Sequence, residues 1–411
     1  MTHTLFSVYG VELEYMLVDK ETLNVKPAAD VLLKKATGQA VSEAEFGEIS
    51  WSNELALHVI EMKTNGPRPS LSGLAHLFHN NVKFMNLLLG EEGLCLMPTG
   101  AHPWMNPHKE SVLWPHEQNE IYYSFNRIFD CSGHGWTNLQ SAHLNLPFAN
   151  DKEFAYLHSA IRLLLPIMPA LSASTPIMEG KKTGYLDGRL RYYQFNQKRI
   201  PSIVGLVIPE LVFSQDEYQE KILSKIYEDI SPFDPEGILQ DEWLNSRGAI
   251  ARFQRDAIEI RILDTQECPL ADIAIMDAIT QTLRVLIEEL DLLKQSQWTC
   301  ERLRKLFDIV IHSGQKAVIT DSEYLALFGM DAKECRLKEL WQHIILNKLN
   351  LSDETEDVLK VILEHGSLAE RIMSALDNEV HQENLHQLYG ELVLCLEEQR
   401  LFRPHENYYH V

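Results

Sequence analysis

The stretch GVELEYML, residues 10–17, alternates apolar and polar positions with a period of two. That period predicts a strand with Val11, Leu13 and Leu17 on one face. Glu12 and Glu14 share the other, about 6–7 Å apart. The strand pattern extends over about residues 5–19, and a second such stretch, EISWSNELALHVIEMKTN (48–65), ends at the breaker GPRP. SLSGLAHLFHNNVKFMNLLLG (70–90) has apolar residues at helical spacing and a terminal Gly, which predicts a helix. GLCLMPTGAHPW (93–104) reads as a strand running into a loop, and TNLQSAHLNLPF (137–148) as another strand. NDKEFAYLHSAIRLLLPIMPAL (150–171) reads as a helix with an Asn/Asp cap, its end shaped by Pro166 and Pro169. Residues 172–191 are small, polar and Gly-punctuated, a long loop of the kind that often carries function. AIARFQRDAIEIRILDTQE (249–267) holds one more alternating strand, followed by a long amphipathic helix over 269–294. Beyond about residue 300 only helical patterns follow, so a boundary is placed near 298, with domains 1–298 and 299–411.

The 411 residues carry a formal net charge of −22, which opposes binding to a phosphate backbone, so no nucleic-acid partner is expected. No apolar run reaches the ~18 residues of a membrane span; the best, LLLPIMPALSA, is broken by prolines. The opening MTHTLFSVYGVELEY lacks the basic and apolar regions of a signal peptide. Cys95, Cys131, Cys268, Cys300, Cys335 and Cys395 are scattered without C-x-x-C spacing, as expected of reduced thiols in a cytoplasmic protein.

Acids recur among apolar neighbours in three strand-like segments: Glu12 and Glu14, then Glu54 and Glu61, then Glu259, with His143 in SAHLNLPF. A buried cluster of carboxylates requires cations or protons. Several carboxylates with one imidazole suit Mg2+ or Mn2+ better than zinc, for which Cys131/His134 is the nearest pair. Each residue alone also fits a plainer role. Glu54 fits a turn cap, Glu61 an ion pair with Lys63, His143 a core histidine, and Glu259/Arg261 a surface pair.

The order of these segments resembles the type 2 glutamate–cysteine ligase family, the bacterial carboxylate–amine ligases. GVELEY is similar to its opening G-x-E-x-E, and NELALHVIEMKTNGP to its second acidic segment. PTGAHPW resembles its G-t-H-P loop, SAHLNL its metal-histidine strand, LSASTPIMEGKKTGYLDGR its signature loop and IEIRILD its closing E-x-R-x-x-D strand. The likeness covers roughly residues 5–290. It departs where Asn145 replaces a second histidine and where Asp187 replaces a loop serine, which puts extra negative charge near the expected substrate site. The arginine upstream of the last strand is Arg247, Arg252 or Arg255.

The resemblance implies an α+β, glutamine-synthetase-like fold: a curved, mainly antiparallel sheet bearing the site, helices outside, and a helical C-terminal region without metal ligands. It implies a ligase catalytic domain over 1–298. There, ATP as co-substrate and Mg2+ (or Mn2+) would activate the γ-carboxylate of glutamate for attack by an amine such as cysteine. No P-loop is present to hold the ATP. By the family's arrangement Glu14, Glu54 and Glu61 would hold one ion and Glu12, His143 and Glu259 another. Arg261 would meet the transferring phosphoryl group. Thr183, Gly184, Tyr185 and Arg189 would bind the nucleotide or substrate. A homo-oligomer is implied as well. A ligase for another carboxylate, or a non-catalytic nucleotide- and metal-binding homologue, stays open. If the carboxylates repel one another, Glu→Gln at 12, 14 or 259 should leave folding intact or improved.

Overall fold

The computed structural model of the chain describes residues 2–377 and 380–404. Alternation builds the central sheet: β1 (Gly10–Asp19), β2 (Glu43–Phe46), β3 (Ile49–Asn53), β4 (Val59–Thr64), β5 (Leu94–Met97) and β6 (Ser141–Pro147). A separate two-residue hairpin, β7 (Ile177–Met178) with β8 (Lys181–Lys182), follows, and β9 (Ala249–Arg252) and β10 (Ala257–Asp264) complete the sheet. The order is β2-β3-β4-β1-β6-β10-β9, and every pairing is antiparallel. Met16 pairs with Val59 of β4 and with Met97 of β5, so β5 lies along the edge of β1 that β6 occupies further up.

The two faces of β1 explain its pattern. Val11, Leu13, Tyr15 and Leu17 are fully buried in one apolar cluster with Phe78 and Val82 of helix Leu74–Gly90 and Ile275 and Ile279 of helix Pro269–Glu289. The opposite face begins with Glu12 and Glu14 but continues with Met16 and Val18. Those two pack in a second cluster with Leu368 and Ile372 of helix Leu368–Ala375 and Leu388 and Tyr389 of helix Gln382–Glu398. The C-terminal helices therefore cover half of the face on which the carboxylates lie. The first cluster also takes in Trp298, Phe307 and Trp341, so the packing runs on across residue 298.

Several elements differ from the sequence reading. The strand starts at Gly10 rather than near residue 5. The 249–267 stretch is two strands, β9 and β10, joined by a turn over Phe253–Arg255 with Asp256 at φ +49°. The 48–65 stretch is likewise β3 and β4, which leaves Glu54 in the connecting turn. The loop at 172–191 contains the β7–β8 hairpin and the start of helix Gly188–Tyr193. After residue 300 a short strand pair, β11 (Val318–Ile319) and β12 (Cys335–Arg336), interrupts the helices. No helix among the described residues is long and apolar enough to cross a membrane. All six cysteines are unpaired.

Candidate active site

Antiparallel register sets the site out in rows. Ser52, Glu61 and Glu14 stand opposite one another across β3, β4 and β1. One step along, Ser50, Lys63, Glu12 and His143 line up, and beyond them Gly10, Asn145 and Glu259. Directly opposed residues share a face, so the sheet gathers these side chains on one side. Between Ile260 and Leu263 the pairing with β6 slips by a bulge, which places Arg261 in the irregular step beside Glu259. Above the rows is a cavity of 350 Å3. Its floor holds Glu12, Glu14, Glu54, Glu61, His143 and Glu259, and Arg189, Arg252, Arg255 and Arg261 also face it.

Donors surround most of the acids. His143 Nδ1 is 2.9 Å from Glu12 Oε2, and its Nε2 is 2.8 Å from Ser141 Oγ. Asn145 Nδ2 donates to Glu12 Oε1 at 3.1 Å, so the residue in place of a second histidine serves the same acid. Ser141 N donates to Glu14 Oε2 at 2.7 Å. Glu259 is held from both sides: Arg252 Nη1 donates to Oε2 at 3.0 Å and Arg261 Nε to Oε1 at 3.0 Å. Glu61 accepts from Ser52 Oγ at 3.1 Å and lies 3.6 Å from Lys63 Nζ. The plain pairings Glu61/Lys63 and Glu259/Arg261 thus exist, inside the cluster rather than instead of it.

Glu12, His143 and Glu259 bring one ligand atom each within 4.8 Å of one another, the only such trio of acidic, histidine or cysteine residues found among the described residues. Glu14, Glu54 and Glu61 line the same cavity without converging that closely. Cys131 and His134 join no such group; His134 faces Asn138 and Glu179.

The electrostatics divide the acids into two kinds. Burial pushes Glu61 up to about 8, helped by the charges of Glu12 and Glu54. Burial and the charge of Glu14 push Glu54 up to about 7. Glu14 is raised too, chiefly by burial. At Glu12 burial acts upward, but the His143 hydrogen bond and nearby positive charges bring the net shift below the usual range. At Glu259 burial is outweighed by Arg261, His143 and Arg252, which draw it down to about 2. His143 goes up to about 9, because Glu12, Glu14 and Glu259 overcome its burial. At positions 12 and 259 the carboxylate already has cationic partners, so Gln there is expected to cost stability rather than leave folding intact or improved.

A pH dependence follows. Glu54, Glu61 and His143 all hold protons more tightly folded than unfolded, so these three groups lower stability as pH rises from about 5 to about 9. The buried neutral His58, His102 and His158 act the other way only below about pH 7. Melts in EDTA are expected to show a Tm several degrees lower at about pH 9 than at about pH 6, and Mg2+ to shrink that drop by replacing the lost positive charge. A flat or rising EDTA profile would contradict these assignments.

The loop at 172–191 contributes one residue to the cavity. Arg189 is 1% exposed and its Nε pairs with Asp264, whose other oxygen accepts from Ser174 N at 2.8 Å and Thr175 Oγ1 at 2.9 Å. Its Nη2 is buried without a partner. Gly188 is required here, since a Cβ would come within 2.5 Å of Thr175 O. Thr183, Gly184 and Tyr185 do not line the cavity. Thr183 Oγ1 donates to Tyr185 O at 2.7 Å inside the turn, and the Tyr185 ring packs edge-on against His312 at 5.3 Å. Asp187 is corrected as well: it is fully buried, off the cavity lining, and its side chain caps helix Gly188–Tyr193 by accepting from Leu190 N at 2.8 Å. Serine and aspartate are interchangeable in that role. Of the three candidate arginines, Arg252 and Arg255 face the cavity, while Arg247 pairs with Glu210 elsewhere.

The sequence profile of glutamate-cysteine ligase family 2 matches residues 8–391. The chain belongs to that family. It is accordingly an ATP-dependent ligase that forms carbon–nitrogen bonds. An uncharacterized protein of Archaeoglobus fulgidus is 36% identical over 396 residues, 96% of this chain and 99% of that one. In fold, the chain is similar to the glutamate–cysteine ligase of Francisella tularensis solved in complex with AMP. That match has a TM-score of 0.63 at 12% identity and covers 96% of this chain and 90% of that one. A bifunctional glutathione synthetase of Pasteurella multocida matches with a TM-score of 0.52 at 12% identity, over 95% of this chain and 53% of that one. The match takes in helix Leu368–Ala375 and ends at residue 391, within helix Gln382–Glu398.

Proposed function

We propose that the chain joins the γ-carboxylate of glutamate to an amine through an acyl phosphate, releasing ADP and phosphate, with cysteine as the first acceptor to test. The observation that supports this most is the pairing of a metal-ligand trio with arginines that have capacity to spare. Glu12, His143 and Glu259 offer carboxylate oxygens and one imidazole at a spacing that fits a hard divalent cation. Mg2+ or Mn2+ held there would offset the repulsion between an attacking carboxylate and a triphosphate. Glu14, Glu54 and Glu61 would hold a second ion.

Arg252 and Arg261 occupy both oxygens of Glu259. An incoming phosphate competes for these guanidiniums and so frees Glu259 to act as a ligand. Arg261 would then meet the transferring phosphoryl group. Arg189, with Nη2 unsatisfied at 1% exposure, would take the substrate carboxylate. In the first step a γ-carboxylate oxygen attacks the terminal phosphorus, and the bond to ADP breaks with its electron pair leaving on ADP. In the second, the amine nitrogen attacks the acyl carbon, phosphate departs with the pair of the broken C–O bond, and the nitrogen gives its proton to solvent.

The test is phosphate release from ATP and Mg2+ with glutamate and an amine pool. Release that requires both co-substrates is expected. Release indifferent to either one would overturn the proposal.

A further inference from the structure

The cavity has two unlike ends. Arginines crowd the end at Glu12 and Glu259. The other is a wall of Tyr122, Phe125, Trp136 and Trp243, each ring partly exposed. Asn53 Nδ2 donates to the Tyr122 hydroxyl at 3.0 Å, and burial together with the charges of Glu54 and Glu61 raises that phenol, so the wall abuts the Glu54/Glu61 side. Phe125 follows on the same face of helix Asn119–Phe129, its ring 5.4 Å from that of Trp136 and 5.8 Å from that of Trp243. The wall's polar neighbours are the acids Glu54 and Glu61 and the neutral Gln197. Gln197 is 3% exposed; its Nε2 donates to Ser246 Oγ at 3.0 Å, and its Oε1 is buried with no donor.

A second cavity of 400 Å3 shares Glu12, Lys63 and Arg255 with the first and continues past Gly10 and Asn145. It would give the far end of a nucleotide a place beside its phosphates without drawing on the wall. The aromatic wall is then left for the remaining substrate. Flat apolar rings with one unsatisfied acceptor recognise an apolar group that carries an N–H donor. An amino-acid acceptor would instead bring a carboxylate toward Glu54 and Glu61, which border the wall.

We infer that the acceptor is an arylalkyl primary amine, its ring against Phe125, Trp136 and Trp243 and its nitrogen donating to Gln197 Oε1. This rests on the ligase reading above. With ATP, Mg2+ and glutamate, phosphate release at equal amine concentration should be at least about tenfold faster with 2-phenylethylamine than with ethylamine or cysteine. Phe125→Ala and Trp243→Ala should bring the 2-phenylethylamine-to-ethylamine ratio toward one, and Gln197→Met should raise KM for 2-phenylethylamine. Tryptophan fluorescence reads binding without turnover: a saturable change with 2-phenylethylamine but not with ethylamine is expected. Faster release with cysteine or ethylamine would overturn the inference and leave the ligase reading standing. The fluorescence change without release on any amine would uphold the wall and overturn the ligase reading. Neither signal would overturn both.

Discussion

Glu259→Gln and Glu61→Gln are expected to lower turnover alike, by about 10²–10³-fold, while shifting the stability of the metal-free protein in opposite directions. The difference lies in what each carboxylate meets. Glu259 has Arg252 on one oxygen and Arg261 on the other, and these cations draw its proton affinity down to about 2. A group with a depressed folded-state pKa stabilises the fold above its unfolded pKa and loses that contribution as pH falls through the folded value. At neutral pH the contribution is present, and removing the charge strands two guanidiniums, at a cost of about 3 kcal/mol. Glu61 is the reverse case. Its proton affinity is raised to about 8 by burial and by Glu12 and Glu54, so its ionised form is a liability near neutrality. Gln at 61 is expected to stabilise the metal-free protein by on the order of 1 kcal/mol. Urea titrations in EDTA measure both shifts. If the two variants shifted in the same direction, the division of the acids into cation-held and proton-held kinds would be wrong.

The second large effect lies outside the cavity. Arg371, fully buried, donates from Nη1 to Phe402 O at 2.7 Å and pairs with Glu267, also fully buried. Phe402 N returns a bond to Glu267 Oε1 at 3.3 Å. Glu267 follows the end of β10, so this knot ties the C-terminal helices to the strand that carries Glu259 and Arg261. Arg371→Leu leaves a carboxylate in the interior with no cation, and an unfolding free energy lower by about 3–5 kcal/mol is expected. Adding Glu267→Leu removes the stranded charge and should recover most of the loss. A single variant within about 1 kcal/mol of wild type would show that the pair is not the clamp it is taken to be.

What the sequence made legible, and what it hid, follows from how local each signal is. Glu12 and Glu14 could be read because a half-buried strand writes its faces in alternate letters, and Val11 and Leu13 mark the buried one. Met16 and Val18 lie on the same face as those acids, yet their partners are some 350 residues downstream. No local pattern says that helices Leu368–Ala375 and Gln382–Glu398 cover them. Arg252 is placed against Glu259 by a hairpin that the sequence reading merged into one strand. Asp187 did have a local signal: D-G-R-L places a capping residue before a helix. Its charge drew the reading toward the substrate instead. The wall aromatics were missed because Tyr122 and Phe125 on a helix look like core. Trp136 and Trp243, set in the polar stretches GHGWTN and DEWLNS, were the available clue.

The proposed reaction requires a carboxylate oxygen to attack the terminal phosphorus of ATP in this cavity. Glutamate labelled with 18O in its γ-carboxylate, turned over with unlabelled ATP and amine in unlabelled water, tests it directly by mass spectrometry of the released phosphate. One 18O is expected in each phosphate, delivered when the acyl phosphate is opened by the amine, with the amide retaining the other. Phosphate free of label would mean that water, not the carboxylate, attacks ATP, and would overturn the acyl-phosphate route.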